Sequence, residues 1–333
     1  MSESIQQSLT KRIDLSQSRY DQSTYMGRLR HFSEITDPRN LFASETELQA
    51  AKTLVQSYKA GNSTPNVTEE QLWKAKKLVD STFHPDTGEK VFLPFRMSSY
   101  VPTNVPIIAA MLLPNPSVAA IIFWQWINQS ANVAFNYCNA NKTTEMSTTE
   151  TVGAYAGAVG ASCTIAVGLS QWLARSKGLS PSTLTLLSRG VPFVAVATAG
   201  TLNVFLMRQK ELKEGIQVQD ATGTILGKSQ TAGTHAIGQV AVSRVVTAAP
   251  ALFIPGLIMS QMERTSLFKR FPRLVAPFNL ITVAGSLLAA LPCAIALFPQ
   301  VASIGVEKLE PQFKGLVDAN GKPVERVFFN RGL

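Results

Sequence analysis

The chain has 333 residues and a formal net charge of +9, but charged side chains make up only 16% of it and its mean hydropathy is +0.10. Such low charge and high hydropathy favour a multi-helix membrane domain with a polar extension over two soluble domains. The basic excess does not indicate nucleic-acid binding, because no Lys/Arg cluster alternates with aromatic residues. Three scattered cysteines and three distant histidines indicate neither a disulfide framework nor a metal site.

Residues 1–96 are polar and predict an extramembrane region of several short helices. Capping boxes begin at Ser44 and Thr68, and each precedes a run with helical apolar periodicity. Asp37 and Pro38 have the order of an N-cap followed by proline in the first turn. The first 25 residues lack the apolar core of a secretory signal and contain three acidic residues, unlike an acid-free mitochondrial presequence. An organellar address would therefore be internal.

The segment His84-Pro-Asp-Thr-Gly-Glu-Lys90 combines titratable groups with turn-forming residues just before the first apolar segment. One interpretation is a gating or coupling site at His84, Asp86 and Thr87, since an imidazole titrates near neutral pH. The alternative is a surface turn formed by the proline and glycine. An enzyme would need a nucleophile or metal cluster nearby, and because the sequence offers neither we expect no enzymatic activity.

Residues 97–300 have the pattern of a transmembrane helical domain. Four apolar stretches are long enough to span a bilayer: 152–174, 190–207, 236–259 and 274–298. A fifth, from 101 to about 128, is interrupted by four prolines, with Asn115 between the last two. Interrupted membrane helices often line binding sites in transporters, although two interfacial half-helices without a ligand role would have the same pattern.

The second half of that interrupted stretch carries a stripe of amide side chains in a segment without any charge. At 100° per residue the amides fall within an arc of roughly 100° on one helix face. The stripe consists of Gln125, Asn128, Gln129, Asn132, Asn136 and Asn139. Amides bind a small polar solute without the cost of burying a bare charge, which indicates transport, although they also join helices in lipid.

Arg244 lies inside the 236–259 stretch. An intramembrane arginine is a candidate partner for a solute carboxylate, and hydrogen bonding to carbonyls of a neighbouring helix is the alternative. We therefore predict a substrate site at Asn115, Gln125, Asn128, Gln129, Asn132, Asn136 and Arg244, with His84, Asp86 and Thr87 at its mouth.

Residues 215–229 predict a short β-hairpin. The run from Gly223 to Ser229 resembles a phosphate-binding loop, but Thr222 stands where the first glycine is required. Residues 301–333 are expected to form a C-terminal tail. With five spans, the N-terminal region would share its side of the membrane with the basic loops 175–183 and 260–273. Because positively charged loops favour the inner side of a membrane, this side is weakly predicted to face the matrix or cytosol.

The chain resembles the sideroflexin family, and a fungal member in particular, over nearly its whole length. In the first half the resemblance is carried by Asp21-Gln-Ser-Thr-Tyr-Met-Gly-Arg28, Thr36-Asp-Pro-Arg-Asn40, His84-Pro-Asp-Thr-Gly-Glu-Lys90, Arg96-Met-Ser98, Phe123-Trp-Gln-Trp-Ile-Asn-Gln-Ser130 and Asn136-Tyr137. In the second half it is carried by Val191-Pro-Phe193, Leu206-Met-Arg-Gln-Lys-Glu-Leu212, Ala296-Leu-Phe-Pro-Gln300 and Val327-Phe-Phe-Asn-Arg-Gly-Leu333.

The resemblance implies an all-α protein of the mitochondrial inner membrane with about five spans and an internal targeting signal. It also implies carriage of serine, and of other small neutral amino acids, into the matrix for one-carbon metabolism, without a redox or nucleotide cofactor. The alternative is a non-transporting inner-membrane scaffold that assists the assembly of respiratory or iron-containing complexes. One departure concerns specificity, since this chain has Ala199-Gly200 where members often have Ala-Asn. Association of several copies into a homo-oligomer is left open.

Overall fold

The computed structural model describes residues 13–15, 17–62, 67–84, 87–113, 115–139, 147–262, 264–317 and 321–331. Helices dominate this part of the chain. We number the α-helices in chain order: α1 (Tyr25–Ile35), α2 (Glu45–Lys59), α3 (Glu69–Thr82), α4 (Tyr100–Met111), α5 (Val118–Asn139), α6 (Thr148–Arg175), α7 (Pro181–Met207), α8 (Gln209–Glu214), α9 (Gln230–Met262), α10 (Ser266–Arg270) and α11 (Val275–Ile295). The four short strands are likewise numbered in chain order: β1 (Ile216–Gln219), β2 (Ile225–Ser229), β3 (Val301–Gly305) and β4 (Arg326–Asn330).

The N-terminal helices begin where their capping residues predict. The Ser44 hydroxyl accepts a hydrogen bond from the Glu47 N–H while the Glu47 carboxylate accepts one from the Ser44 N–H, and Thr68 and Gln71 repeat the arrangement at α3. Each box satisfies two backbone donors that a helix start leaves unpaired. Helices α2 and α3 then pack through a small core of apolar side chains: Leu15, Ala51, Val55, Leu72 and Ala75. The short helix predicted after Asp37 is a five-residue 3-10 helix, Pro38–Phe42.

Four helical segments of the described chain are long and apolar enough to cross a membrane. They are Thr148–Arg175, Leu186–Met207, Gln230–Met262 and Pro272–Ile295, which correspond to α6, α7, α9 and α11. They confirm the four uninterrupted spans predicted from the sequence and the multi-spanning helical class of the protein.

The fifth predicted segment is two antiparallel helices, so its expected bounds of 101 to about 128 were wrong. The rings of Tyr100 and Phe135 lie 5.1 Å apart at one end of the α4–α5 pair, and Met111 packs against Trp124 at the other. The chain reverses where Asn115 adopts a positive φ of 50°, a conformation that asparagine tolerates better than most residues. Pro116 follows directly and cannot donate a helical hydrogen bond.

This reversal places the N-terminal region and the C-terminal tail at the same end of the bundle. Arg28 of α1 donates a hydrogen bond of 2.8 Å to the carbonyl of Ala296, just after α11, and Asn139 at the end of α5 donates to the carbonyl of Phe95. The loop between α6 and α7 and the basic segment around α10 lie at the opposite end, because α6–α7 and α9–α11 are helix pairs that reverse there. The grouping of basic loops expected from a five-span count is therefore corrected.

The predicted hairpin at 215–229 forms, and the C-terminal tail joins it in one antiparallel sheet of order β2-β1-β4-β3. We call the end of the bundle that carries this sheet the sheet end. Glu310 from the tail accepts hydrogen bonds from the Thr231 N–H and the Ser229 hydroxyl at the start of α9. The tail thus caps a membrane helix as well as completing the sheet.

Candidate functional site

The amide stripe of α5 is turned toward the interior of the bundle by contacts on the other faces of the helix. On its outer face the Trp126 indole N–H donates a hydrogen bond of 2.7 Å to the Tyr155 hydroxyl of α6, and the Ser130 hydroxyl lies 2.8 Å from the same oxygen. On the face toward α4, apolar side chains pack together: Ile107, Met111, Trp124, Ile127 and Ala131. These contacts fix the rotation of α5 about its axis.

An apolar cluster lies at one end of the stripe, and a charged side chain lies at the other. Ile121, one turn before the first amide, packs with Val191 and Ala195 of α7 in an apolar cluster that also includes residues of α6. At the other end of the stripe, Asn136 meets Arg244 of α9. The amides therefore face α7 and α9 across the bundle rather than lipid.

Three amides in the middle of the stripe are buried with unused hydrogen-bonding atoms. Gln125, Asn128 and Gln129 are 3%, 4% and 1% exposed. The Gln125 Oε1, the Asn128 Nδ2 and the Gln129 Nε2 have no hydrogen-bond partner among the described residues. Each unpaired buried group costs about 1–3 kcal/mol, and native proteins keep few of them. Three within two helical turns indicate a place where a polar ligand or water makes these bonds.

Arg244 brings a positive charge to the sheet end of the stripe. Its Nη2 donates a hydrogen bond of 2.8 Å to the Asn136 Oδ1. The phenol of Tyr100 lies close enough to the guanidinium to interact with it electrostatically. Gly200 of α7 opposes it, since a Cβ built on that glycine would lie 3.9 Å from the Arg244 Cβ. A guanidinium has five N–H donors, so one bond to a neutral amide leaves it able to bind a carboxylate.

Two further amides in the apolar helices are buried but were not predicted from the sequence. Asn104 of α4 is 2% exposed, and Asn203 of α7 is 6% exposed. Asn104 lies one turn after Tyr100 and one before Ile107, two residues that contact α5, so it shares their face. The available signal was an amide inside an apolar run, which is weak for a single residue.

Not every predicted residue joins the site. Asn132 is partly buried within the stripe, whereas Asn139 donates to the carbonyls of Phe95 and Phe135 and fastens the end of α5. Asn115 is exposed in the turn before α5. About 30 Å of helix separate it from Asn136, so the structure does not bring it to the amides as expected.

The segment predicted as a gate forms a turn. The His84 N–H donates to the Glu89 carbonyl at 2.8 Å, and the Gly88 N–H donates to the His84 carbonyl at 2.9 Å. The Lys52 ammonium of α2 donates to the Gly88 carbonyl and lies 4.6 Å from the centre of the Phe83 ring. The side-chain hydroxyl of Thr87 accepts from the Glu89 N–H, and Asp86 lies outside the described residues. A gating role stays a prediction.

An apolar cavity of about 410 Å³ lies elsewhere, between α6, α7 and α9 near Trp172, Leu186 and Phe253. It presents almost no polar surface, so it does not suit a small polar solute, and the amide stripe remains the candidate site.

In the described part of the chain, no group of three His, Cys, Asp or Glu side chains could hold a metal ion.

A bundle of apolar helices around a buried polar stripe defines a multi-pass membrane protein. The sequence profile of the sideroflexins matches residues 14–333, and the chain belongs to the sideroflexin family. It is 46% identical over 317 residues to the sideroflexin of Dictyostelium discoideum, covering 95% of this chain and 96% of that protein. It is 48% identical over 316 residues to sideroflexin fsf1 of Schizosaccharomyces pombe, covering 95% and 98%.

Human sideroflexin-3 is 44% identical over 321 residues, covering 96% of this chain and 98% of that protein. No solved structure matches the chain significantly. Sideroflexins are known as a transporter family rather than as an enzyme family, and membership supports a transporter-like role for this chain.

Proposed function

We propose that this protein carries small neutral amino acids, serine foremost, across the mitochondrial inner membrane into the matrix, where serine feeds one-carbon metabolism. The observation that supports the proposal most is the set of unpartnered buried amides on α5, together with Arg244 at their end. No cofactor is needed for this movement, because no bond of the solute changes.

The hydrogen-bonding groups along the stripe match those of a zwitterionic amino acid. A carboxylate accepts hydrogen bonds, which the Arg244 guanidinium and the unpartnered Nδ2 of Asn128 and Nε2 of Gln129 can donate. An ammonium donates, and the unpartnered Oε1 of Gln125 accepts. Asn132, which offers both a donor and an acceptor, suits a side-chain hydroxyl.

The length of the stripe favours a pathway over a single cage. From Gln125 to Asn136 the helix rises roughly 16 Å, several times the width of an amino acid. The solute would therefore meet Arg244 and Asn136 at the sheet end and the buried amides further in. Each position replaces part of the water that the solute loses on leaving the aqueous phase.

The membrane helices offer no deeply placed acidic side chain that could carry a coupled proton or cation. Apart from Glu150 in the first turn of α6, the helices α4–α7, α9 and α11 contain no Asp or Glu. Intramembrane carboxylates are the usual carriers of protons or cations in coupled transport. We therefore propose facilitated movement, with His84 and Thr87 acting as a gate from their turn before α4.

The alternative is a scaffold that assembles other membrane complexes, in which the amides would only join helices. Amides that join helices form hydrogen bonds across the interface. The unpartnered atoms of Gln125, Asn128 and Gln129 argue against that role.

The test is uptake of radiolabelled serine into liposomes containing the full-length protein. The double variant Asn128→Leu, Asn132→Leu removes two amides of the stripe. Tyr137→Leu is the matched control, since Tyr137 is 64% exposed on the outer side of the same helix. We expect saturable uptake by the wild type and the control, and loss of uptake in the double variant.

Full uptake by the double variant would contradict the amide pathway. Absence of uptake by folded wild-type protein, inserted in both orientations, would contradict transport itself. Co-purification of assembly partners in that case would favour the scaffold.

A further inference from the structure

Three arginines from distant parts of the chain converge at the sheet end of the bundle. Arg28 belongs to α1, Arg208 caps the C-terminus of α7, and Arg331 follows β4. Burial, together with repulsion from Arg208 and then Arg28, lowers the pKa of Arg331 to about 10. The guanidinium is still charged at neutral pH. Contacts also bring Arg28 and Arg331 to the same short segment, since Arg28 donates to the carbonyls of Ala296 and Leu297 and Arg331 lies beside the ring of the next residue, Phe298.

Arg331 is buried without a carboxylate partner among the described residues. It is 2% exposed, and its Nη1 donates a hydrogen bond of 3.2 Å to the Ser243 hydroxyl. The guanidinium carbon lies 5.8 Å from the centre of the Phe298 ring. The Arg331 Nε is buried and has no hydrogen-bond partner among those residues.

The two neighbouring arginines leave the positive charge largely uncompensated. Arg208 pairs with Glu211 at 3.0 Å, but its Nη1 is buried and has no hydrogen-bond partner among the described residues. Arg28 is 7% exposed and, within the part of the chain that the structure describes, donates only to backbone carbonyls, namely those of Gln22, Ser23, Ala296 and Leu297. In the described part of the chain, three cations therefore face one carboxylate.

Such an arrangement is costly unless an anion completes it. A buried charge without a counter-charge loses its hydration and destabilises the fold. Guanidinium groups present N–H donors in a planar fork that fits the oxygens of a phosphate or carboxylate. The site also lies where α7 and α11 end, beside the N-terminal half of α9, at the level at which lipid phosphates meet a membrane protein.

We propose that Arg28, Arg208 and Arg331 form a binding site for a phosphate group, supplied by a lipid headgroup or by a phosphate free in solution. The unpartnered Arg208 Nη1 and Arg331 Nε are the donors left for it. The site is separate from the amide stripe, because Ser243 and Arg244 are consecutive on α9 and their side chains diverge by about 100°. The proposal does not rest on the transport function.

The experiment measures thermal unfolding of the full-length protein in a neutral maltoside detergent, at constant ionic strength set with chloride. Inorganic phosphate and a short-chain phosphatidic acid are titrated separately, and a short-chain phosphatidylcholine serves as the zwitterionic comparison. A ligand that binds only the folded state raises the Tm as its concentration exceeds the Kd. We expect a saturable rise with phosphate or with phosphatidic acid.

Arg331→Gln should weaken binding roughly tenfold or more, because it removes both the charge and the fork. Arg326→Gln is the matched control, since Arg326 lies exposed on β4 and its side chain hydrogen-bonds Ser303. Should Arg331→Gln not fold, Arg331→Lys keeps the charge without the fork and should still weaken binding several-fold.

A response to inorganic phosphate identifies a site open to solution, and a response to phosphatidic acid alone identifies a lipid headgroup as the source. The proposal is overturned if neither ligand raises the Tm of the wild type. Equal affinity in Arg331→Gln and the wild type would overturn it as well.

Discussion

Arg244 of α9 donates a hydrogen bond of 2.8 Å to the side-chain oxygen of Asn136 on α5, across 108 residues of sequence. The bond joins the charged group of one membrane helix to the amide stripe of another. Because Asn136 is neutral, the charge of Arg244 is not cancelled, and it remains available to a solute carboxylate.

Arg244→Gln should lower kcat/KM for serine roughly 10–100-fold, because a hydrogen bond between charged groups contributes about 1.5–3 kcal/mol. Arg244→Lys keeps the charge and should retain part of the activity. Liposome uptake measures both, with Arg264→Gln, exposed in the loop at the opposite end, as the control. Unchanged kcat/KM in Arg244→Gln would exclude Arg244 from the pathway.

Gln129→Met should stabilise the protein while impairing transport. Gln129 is 1% exposed with an unpartnered Nε2, and methionine has a similar shape without a polar group. Removing the unpaired donor should raise the free energy of unfolding by about 1 kcal/mol. Thermal unfolding and serine uptake are measured on the same preparation. A lower Tm would show that the amide makes bonds that hold the fold.

Gly233→Ala should destabilise the protein where Gly238→Ala, five residues later on α9, does not. Helix α8 approaches α9 closely at Gly233. A Cβ at this position would lie 2.8 Å from the backbone oxygen of Glu211, so alanine would force the two helices apart. A Cβ at Gly238 meets nothing within 4 Å, and alanine favours a helix over glycine by about 1 kcal/mol. Thermal unfolding compares the two variants, and equal Tm values would contradict the close approach.

Glu310→Gln should destabilise the folded protein in a pH-dependent way. Burial tends to raise the pKa of Glu310, but hydrogen bonds from the Thr231 N–H and the Ser229 hydroxyl outweigh it and hold the pKa below its ordinary value of 4.5. A depressed carboxyl pKa stabilises the fold above the ordinary value, and this contribution is lost as the pH falls through the folded pKa.

At pH 7 the variant should therefore lose about 1 kcal/mol of stability, the usual value of a helix cap. The difference from the wild type should shrink as the pH is lowered below 4.5. Glu307→Gln, an exposed glutamate of the same tail, is the control. A difference that stays constant with pH would indicate that the charge of Glu310 is not involved.

The parts of the structure predicted from sequence are those governed by neighbours along the chain. The capping boxes at Ser44 and Thr68 define helix starts because their partners lie three residues away. Four spans and the hairpin at 215–229 follow from the length of apolar runs and from local turn residues. The inward face of α5 follows from the helical period of its amides.

The tertiary structure decided which of these faces meet. Asn136 reaches Arg244, and Asn115 does not reach the stripe, because α4 and α5 reverse at Asn115 and set it at the far end. The pairing of the C-terminal tail with the hairpin, and the convergence of Arg28, Arg208 and Arg331, depend on the order of helices around the bundle. Sequence periodicity fixes the face that a helix buries, whereas the partner of that face depends on packing between segments hundreds of residues apart.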